Sequence, residues 1–107
     1  MKNPILGIIG GGQLGSLLSV AANRIGIKTV ILSDDENAPA KNFTEKFIHG
    51  KYDNKSITQE FIDSVDLVTY EFENIPFHIL QSINSEKTVL PKPEINNLIQ
   101  NLSLIHI

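Results

Sequence analysis

A glycine-rich hexapeptide, G-G-G-Q-L-G at residues 10–15, follows directly on the apolar run at residues 5–9 and begins an amphipathic segment. This is the pattern G-x-G-x-x-G at a strand-to-helix junction, the context in which it indicates phosphate or nucleotide binding. Glycine lets the backbone turn tightly and approach a ligand without a Cβ in the way. The N–H groups and the dipole of the first helical turn attract an anion. The sequence therefore predicts a phosphate site near the N-terminus.

The apolar pattern predicts strands and helices in alternation. Strands are predicted at residues 5–9, 29–32, 47–48, 67–70 and 88–90. The inward face predicted for the first helix consists of Leu14, Leu17, Leu18, Ala21, Ala22 and Ile25. Ser56 has capping-box spacing and is predicted to cap the second helix. Strands that alternate with helices favour βαβ units, and hence an α/β, doubly wound, Rossmann-like parallel sheet.

Composition narrows the classes of protein. The 107 residues are 41% hydrophobic and 20% charged, as expected for one globular domain. The net charge of −3 and the lack of a Lys/Arg cluster give no indication of nucleic acid or an anionic membrane. Without cysteine there is no disulfide or thiolate metal site, and the three histidines are too scattered to predict a metal centre. With no signal-peptide pattern or membrane-length apolar segment, we expect a soluble, cytoplasmic protein.

Polar side chains at the end of the predicted fourth strand form a second candidate feature. With the strand order 3-2-1-4-5, strands one and four are neighbours, and ligands bind outside their carboxyl ends. Glu71, Glu73 and Asn74 are therefore expected beside the glycine loop. The alternating Tyr70 and Phe72 are expected in the core. Glu73 and Asn74 are equally candidates for capping the helix that follows.

Two ligand classes fit these residues. A dinucleotide would need an acidic residue about 20 positions beyond the glycines, and Asp34 and Asp35 lie there, although Ser33 closes the strand. Two carboxylates beside a pyrophosphate would repel it. A ligand with one phosphate, a sugar and an amino-bearing head would use the helix N-terminus for its phosphate, Gln13 at the edge of the loop, and a carboxylate for hydroxyls or the amine.

Five segments in a fixed order resemble one known family. They are residues 8–15, 21–26, 38–40, 66–76 and 91–93. Together they resemble the N-terminal part of the 5-(carboxyamino)imidazole ribonucleotide synthases, which are ATP-grasp ligases of microbial and plant purine synthesis. The resemblance spans residues 5–101. The glycine run alone is weakly specific, but its combination with Y-E-F-E-N at residues 70–74 is strongly specific.

The resemblance implies a reaction in which ATP activates bicarbonate as carboxyphosphate. The exocyclic amine of 5-aminoimidazole ribonucleotide then captures the carboxyl group, and ADP and phosphate are released. Residues 1–101 would form the pre-ATP-grasp domain that holds the ribonucleotide. A following ATP-grasp domain would hold ATP and Mg²⁺, so no catalytic residue is expected in this chain and the chain alone is expected to be inactive. The full-length protein is expected to be a homodimer that acts on small molecules.

The resemblance assigns binding roles to six residues. The residues that would line the substrate phosphate are Gly11, Gly12, Gln13 and Leu14. Glu71 would hold ribose hydroxyls, with Glu73 as the second choice.

Some residues depart from the family pattern, and other classes stay open. Ser33 stands where many relatives have aspartate, Ser16 replaces a frequent basic residue, and residues 102–107 are expected to be a truncated or non-native tail. One alternative is a formate-dependent glycinamide ribonucleotide transformylase, whose loop usually carries glutamate at the position of Gln13. The others are an NAD(P)-binding Rossmann oxidoreductase domain and a stand-alone nucleotide-sensing module.

Overall fold

The computed structural model describes residues 4–71 and 75–91. Of the residues that follow the predicted fourth strand, the structure describes Glu71 and residues 75–91. Phe72, Glu73 and Asn74 lie outside the described residues, as do residues 92–101 and the predicted tail at 102–107.

The described chain alternates strands with helices, as predicted. The strands are β1 (Ile5–Ile9), β2 (Lys28–Ser33), β3 (Lys46–His49) and β4 (Leu67–Tyr70). The helices are α1 (Gln13–Arg24), α2 (Lys55–Ser64) and α3 (Phe77–Asn84), with a 3-10 helix at Pro39–Phe43. The strands pair in parallel in the order β3-β2-β1-β4. The α/β class and the adjacency of β1 and β4 are therefore confirmed.

The sheet is covered on both faces because its central strands are apolar on both sides. Neighbouring residues of β1 serve different cores: Ile9 belongs to the larger core around Phe61 of α2 and Leu80 of α3. Ile8 belongs to a smaller core, with Leu18 of α1 packed against it. Tyr70, at the end of β4, is 1% exposed and lies in the larger core, as predicted.

The inward face predicted for α1 is largely wrong. Leu17 and Ile25 are 67% and 73% exposed, and Leu14 is also exposed. The residues of α1 that are buried are small: Gly15, Ser19 and Ala22. Small side chains let the helix axis approach the sheet closely, and Leu14 and Leu17 are turned outward.

Two local predictions also need correction. Ser56 lies inside α2, and the cap is Asn54, whose Oδ1 accepts hydrogen bonds from the N–H groups of Ser56 (3.0 Å) and Ile57 (3.2 Å). The predicted fifth strand is reduced to a single parallel bridge between Val68 and Val89. Pro91 follows closely and has no N–H with which to extend the ladder.

The carboxyl ends of all four strands lie at one edge of the sheet, because the strands are parallel. The glycine loop follows β1 at this edge, and Glu71 follows β4. Along the residues that the structure describes, no helix has the length and apolar character needed to cross a membrane.

Candidate functional site

The glycine loop turns the chain sharply between β1 and α1. Gly10 has φ +106°, a conformation that a residue with a side chain rarely adopts. Its N–H donates to the carbonyl of Leu32 at 2.8 Å, so the loop begins in register with β2. The carbonyl of Gly11 accepts a hydrogen bond from the N–H of Ala40 at 2.9 Å. The loop is thus fixed by the neighbouring strand and the 3-10 helix.

Glu71 places its carboxylate against this loop. Its N–H donates to the carbonyl of Ile9 at 3.0 Å, which continues the pairing of β4 with β1. Its Oε1 accepts a hydrogen bond of 2.8 Å from the N–H of Gly15. A Cβ on Gly10 would lie 2.8 Å from Oε2, and one on Gly12 would lie 3.1 Å from both oxygens. The glycines therefore leave the space that the carboxylate fills.

Four consecutive N–H groups of the loop and the first turn of α1 remain available. The N–H groups of Gly11, Gly12, Gln13 and Leu14 donate to no acceptor within residues 4–71 and 75–91. Gly12 is the N-cap of α1, so these groups lie at the positive end of the helix dipole. Such an arrangement binds an anion such as phosphate.

A crevice of about 160 Å³ adjoins the loop. Its lining consists of Gly10, Gly11, Gly12, Ser33, Asp34, Asp35, Ala38, Pro39, Tyr52, Glu71 and Ile75. Gln13 and Leu14 are exposed and lie outside this lining. Whole-ligand pockets usually have about 300 Å³ or more, so this volume suits a phosphate and the adjacent sugar.

The charges of the crevice are unusual for an anion site. No Lys or Arg is among its described lining residues, whereas Asp34, Asp35 and Glu71 are. An anionic group there would be held by backbone N–H groups and neutral hydroxyls. The two carboxylates after β2 and the one after β4 would accept hydrogen bonds from hydroxyl or amine groups of the same ligand.

Sequence reasoning missed Tyr52, which lies after β3 and lines the crevice. Burial raises the pKa of its phenol to about 12, and the negative charges of Asp34 and Glu71 also raise this pKa. Hydrogen bonds to the Asp34 backbone and the Ser33 side chain lower it in part. The topology could have indicated Tyr52, since the loop after β3 must emerge at the same edge of the sheet as the glycine loop.

Two features typical of a site for ATP and a metal ion are missing from the described residues. Within 4–71 and 75–91, no three His, Asp or Glu side chains are grouped closely enough to hold a metal. No lysine or arginine lines the part of the crevice that the structure describes, so the phosphates of a nucleoside triphosphate would lack cationic partners.

Comparison with known proteins gives a consistent result. The model of the family described as "Ribonucleotide synthetase preATP-grasp domain" matches residues 1–100. The N5-carboxyaminoimidazole ribonucleotide synthase of Brucella melitensis is 40% identical over 88 residues, which are 82% of this chain and 24% of the relative. The enzyme of that name from Staphylococcus aureus is 38% identical over 87 residues, which are 81% of this chain and 23% of the relative. The chain thus spans about a quarter of the length of these curated relatives.

Solved structures agree with the sequence matches. N5-carboxyaminoimidazole synthetase from Staphylococcus aureus, complexed with ADP, superposes with a TM-score of 0.85 and 33% identity, over 92% of this chain and 26% of that one. The Aspergillus clavatus synthase, in complex with ADP and 5-aminoimidazole ribonucleotide, superposes with a TM-score of 0.79 and 29% identity, over 92% and 26% of the two chains. The described fold is therefore the fold found in these enzymes.

Proposed function

The chain belongs to the family of ribonucleotide synthetase preATP-grasp domains, and we propose that it holds the ribonucleotide in an ATP-dependent ligase that carboxylates 5-aminoimidazole ribonucleotide. The relatives and solved structures named above carry the names of such synthases. One of the solved structures contains 5-aminoimidazole ribonucleotide itself. Because this chain spans about a quarter of those proteins, the activity is proposed for a full-length ligase that contains it.

One observation carries the proposal. In the part of the chain that the structure describes, the N–H groups of residues 11–14 donate to no acceptor. They lie beside the carboxylate of Glu71, whose Oε1 accepts a hydrogen bond from the N–H of Gly15. The N–H groups match a phosphate monoester. Oε2 of Glu71 takes no part in the Gly15 contact and can accept hydrogen bonds from ribose hydroxyls. A phosphate and a diol on neighbouring carbons are what a ribonucleotide presents.

In the proposed reaction, a bicarbonate oxygen attacks the γ-phosphorus of ATP, ADP leaves, and carboxyphosphate forms. The exocyclic amine of the ribonucleotide attacks the carboxyl carbon, phosphate leaves, and the amine gives up one proton. ATP and Mg²⁺ would bind in the remainder of the full-length protein, since the described residues of this chain do not fit them. This chain would bind and orient the ribonucleotide. The homodimeric assembly of the full-length protein and its cytoplasmic location stay predictions.

The alternatives fit less well. Asp34 lines the crevice after β2, where a dinucleotide-binding domain holds a ribose hydroxyl. Glu71 then opposes that assignment, because its carboxylate lies at the loop where a pyrophosphate would have to bind. A glycinamide ribonucleotide transformylase would share the phosphate site, but Gln13 and the names of the relatives favour the carboxylating enzyme.

Calorimetric titration of the chain with 5-aminoimidazole ribonucleotide and, separately, with NAD tests the proposal. We expect the ribonucleotide to bind more tightly, because NAD brings a second phosphate toward Glu71. Glycinamide ribonucleotide serves as the third ligand and should bind more weakly than 5-aminoimidazole ribonucleotide. A clear preference for NAD would show that the assignment is wrong.

A further inference from the structure

Tyr52 is held at the edge of the sheet by the segment that joins β3 to α2. The N–H of Gly50 donates to the carbonyl of Ser33 at 3.1 Å, which ties this segment to the end of β2. The N–H of Asn54 donates to the carbonyl of Lys51 at 3.0 Å and closes a turn around Tyr52. Tyr52 is therefore fixed at the same edge as the glycine loop.

Tyr52 lines two cavities, the crevice at the glycine loop and a groove between two helices. Its ring packs against the larger core and is half-buried. On one side it lines the 160 Å³ crevice with Gly11 and Glu71. On the other side it lines a groove of about 400 Å³ between α2 and α3, with Ile62 and Ile79. A ligand in the crevice would meet Tyr52 as the wall toward α2 and α3.

The phenol is suited to donate a hydrogen bond to an anion. Its raised pKa, about 12, means that it keeps its proton at neutral pH. The carboxylates of Asp34 and Glu71 can only accept hydrogen bonds, and among the described lining residues no cation is available to an anion. The side chain of Ser33 already accepts a hydrogen bond from the N–H of Asp35 at 3.1 Å. Tyr52 therefore supplies a neutral hydroxyl that can donate a hydrogen bond in the crevice beside the loop.

Tyr52 and the glycine loop line the same crevice. Ser33 lines the crevice together with Tyr52 and borders Gly11, since a Cβ on Gly11 would lie 3.4 Å from Ser33 Oγ. The N–H of Gly11 is one of the four unpaired donors. A phosphate that reaches Gly11 therefore comes next to Tyr52.

We propose that Tyr52 is a ligand-binding residue of the crevice, whose hydroxyl donates a hydrogen bond to the phosphate of the ribonucleotide at the glycine loop. The proposal rests on the proposed function for the identity of the whole ligand. The phosphate contact itself requires only a sugar phosphate.

The test compares the chain with its Tyr52→Phe variant by calorimetric titration. The ligands are 5-aminoimidazole ribonucleotide, ribose 5-phosphate, and the ribonucleoside that lacks the phosphate. Phenylalanine keeps the ring that forms the wall, so only the hydroxyl is lost. We expect about tenfold weaker binding of both phosphate-bearing ligands and an unchanged affinity for the ribonucleoside. Tyr70→Phe is the matched control, because Tyr70 lies in the core, outside the crevice lining, and its variant should bind all three ligands like the original chain.

Each outcome decides the proposal. Equal weakening for the ribonucleoside and the ribonucleotide would mean that the hydroxyl contacts the sugar or only maintains the fold, and no weakening would mean no contact; either result overturns it. If the unmodified chain prefers NAD, the proposed function is wrong, while ribose 5-phosphate still tests Tyr52. If the unmodified chain binds neither sugar phosphate, both proposals are wrong.

Discussion

The N–H of Gly15 donates a 2.8 Å hydrogen bond to Oε1 of Glu71, and this contact joins the first turn of α1 to the end of β4 across 56 positions of the sequence. It places a carboxylate next to the N–H groups of residues 11–14, which donate to no acceptor among residues 4–71 and 75–91. The ribonucleotide that we propose as the ligand offers a phosphate to these N–H groups and hydrogen-bond donors to the carboxylate. This combination separates a ribonucleotide from a plain anion.

Replacement of Glu71 by alanine should weaken binding of 5-aminoimidazole ribonucleotide by about tenfold or more, because hydrogen bonds to a charged acceptor are lost. Glu71→Gln removes the charge with little change of shape and should strengthen binding of inorganic phosphate, since a negative charge beside the anion is removed. Calorimetry measures both effects. Glu36→Ala, which removes an exposed carboxylate outside the crevice lining, is the control. If Glu71→Ala binds like the control, Glu71 is not a ligand.

Gly15→Ala and Gly12→Ala should have different effects on the stability of the fold and on ligand binding. A Cβ on Gly15 would lie 2.7 Å from the carbonyl oxygen of Gly10, so the backbone must shift and unfolding should become easier by about 2 kcal/mol. On Gly12 the nearest atoms are the carboxylate oxygens of Glu71 at 3.1 Å, and the backbone has φ −77°. The carboxylate can move, so stability should change by no more than about 1 kcal/mol while ribonucleotide binding weakens. Urea denaturation and calorimetry report the two quantities, and equal destabilisation of both variants would contradict the geometry.

A leucine substitution in α1, compared with one at a buried leucine of α3, tests the orientation of α1. Leu17 is 67% exposed, so Leu17→Ala should change the free energy of unfolding by less than about 0.5 kcal/mol. Leu80 of α3 is fully buried, and Leu80→Ala should cost about 2 to 5 kcal/mol. Urea denaturation at neutral pH measures both. A large loss at Leu17 would mean that this face of α1 is packed in solution.

The raised pKa of Tyr52 predicts a loss of stability at high pH. The phenol titrates near 10 in the unfolded chain and near 12 in the folded chain, so between these values the unfolded chain has already lost its proton. The free energy of unfolding should therefore fall from pH 10 to pH 12, by no more than about 2 kcal/mol after solvent screening is discounted. Tyr52→Phe lacks this contribution and should fall less. Urea denaturation at pH 9 and pH 11 compares the two chains, and parallel profiles would refute the shift.

Much of the fold could be predicted because it depends on local patterns. Apolar runs specify strands, and the glycines after β1 can form only a tight turn into a helix. The adjacency of β1 and β4 followed from the topology of βαβ units, and this adjacency places Glu71 beside the loop. Asn54, by contrast, could not be distinguished as the cap from local chemistry, because Ser56 has the same capping chemistry two positions later.

The sequence by itself determined the order of strands and helices, the glycine turn that we propose binds an anion, and the carboxylate that faces it. Each of these depends on neighbours in the chain or on the handedness of the connections. The tertiary structure alone decided which face of α1 is buried, because Leu14 and Leu17 match the helical period as well as Gly15 and Ser19 do, and only packing against the sheet selects the smaller side chains. It also brought Tyr52 to the crevice. Which side chains meet at an edge depends on the lengths of the connecting loops and on the closeness of the layers, and neither is encoded in a local pattern.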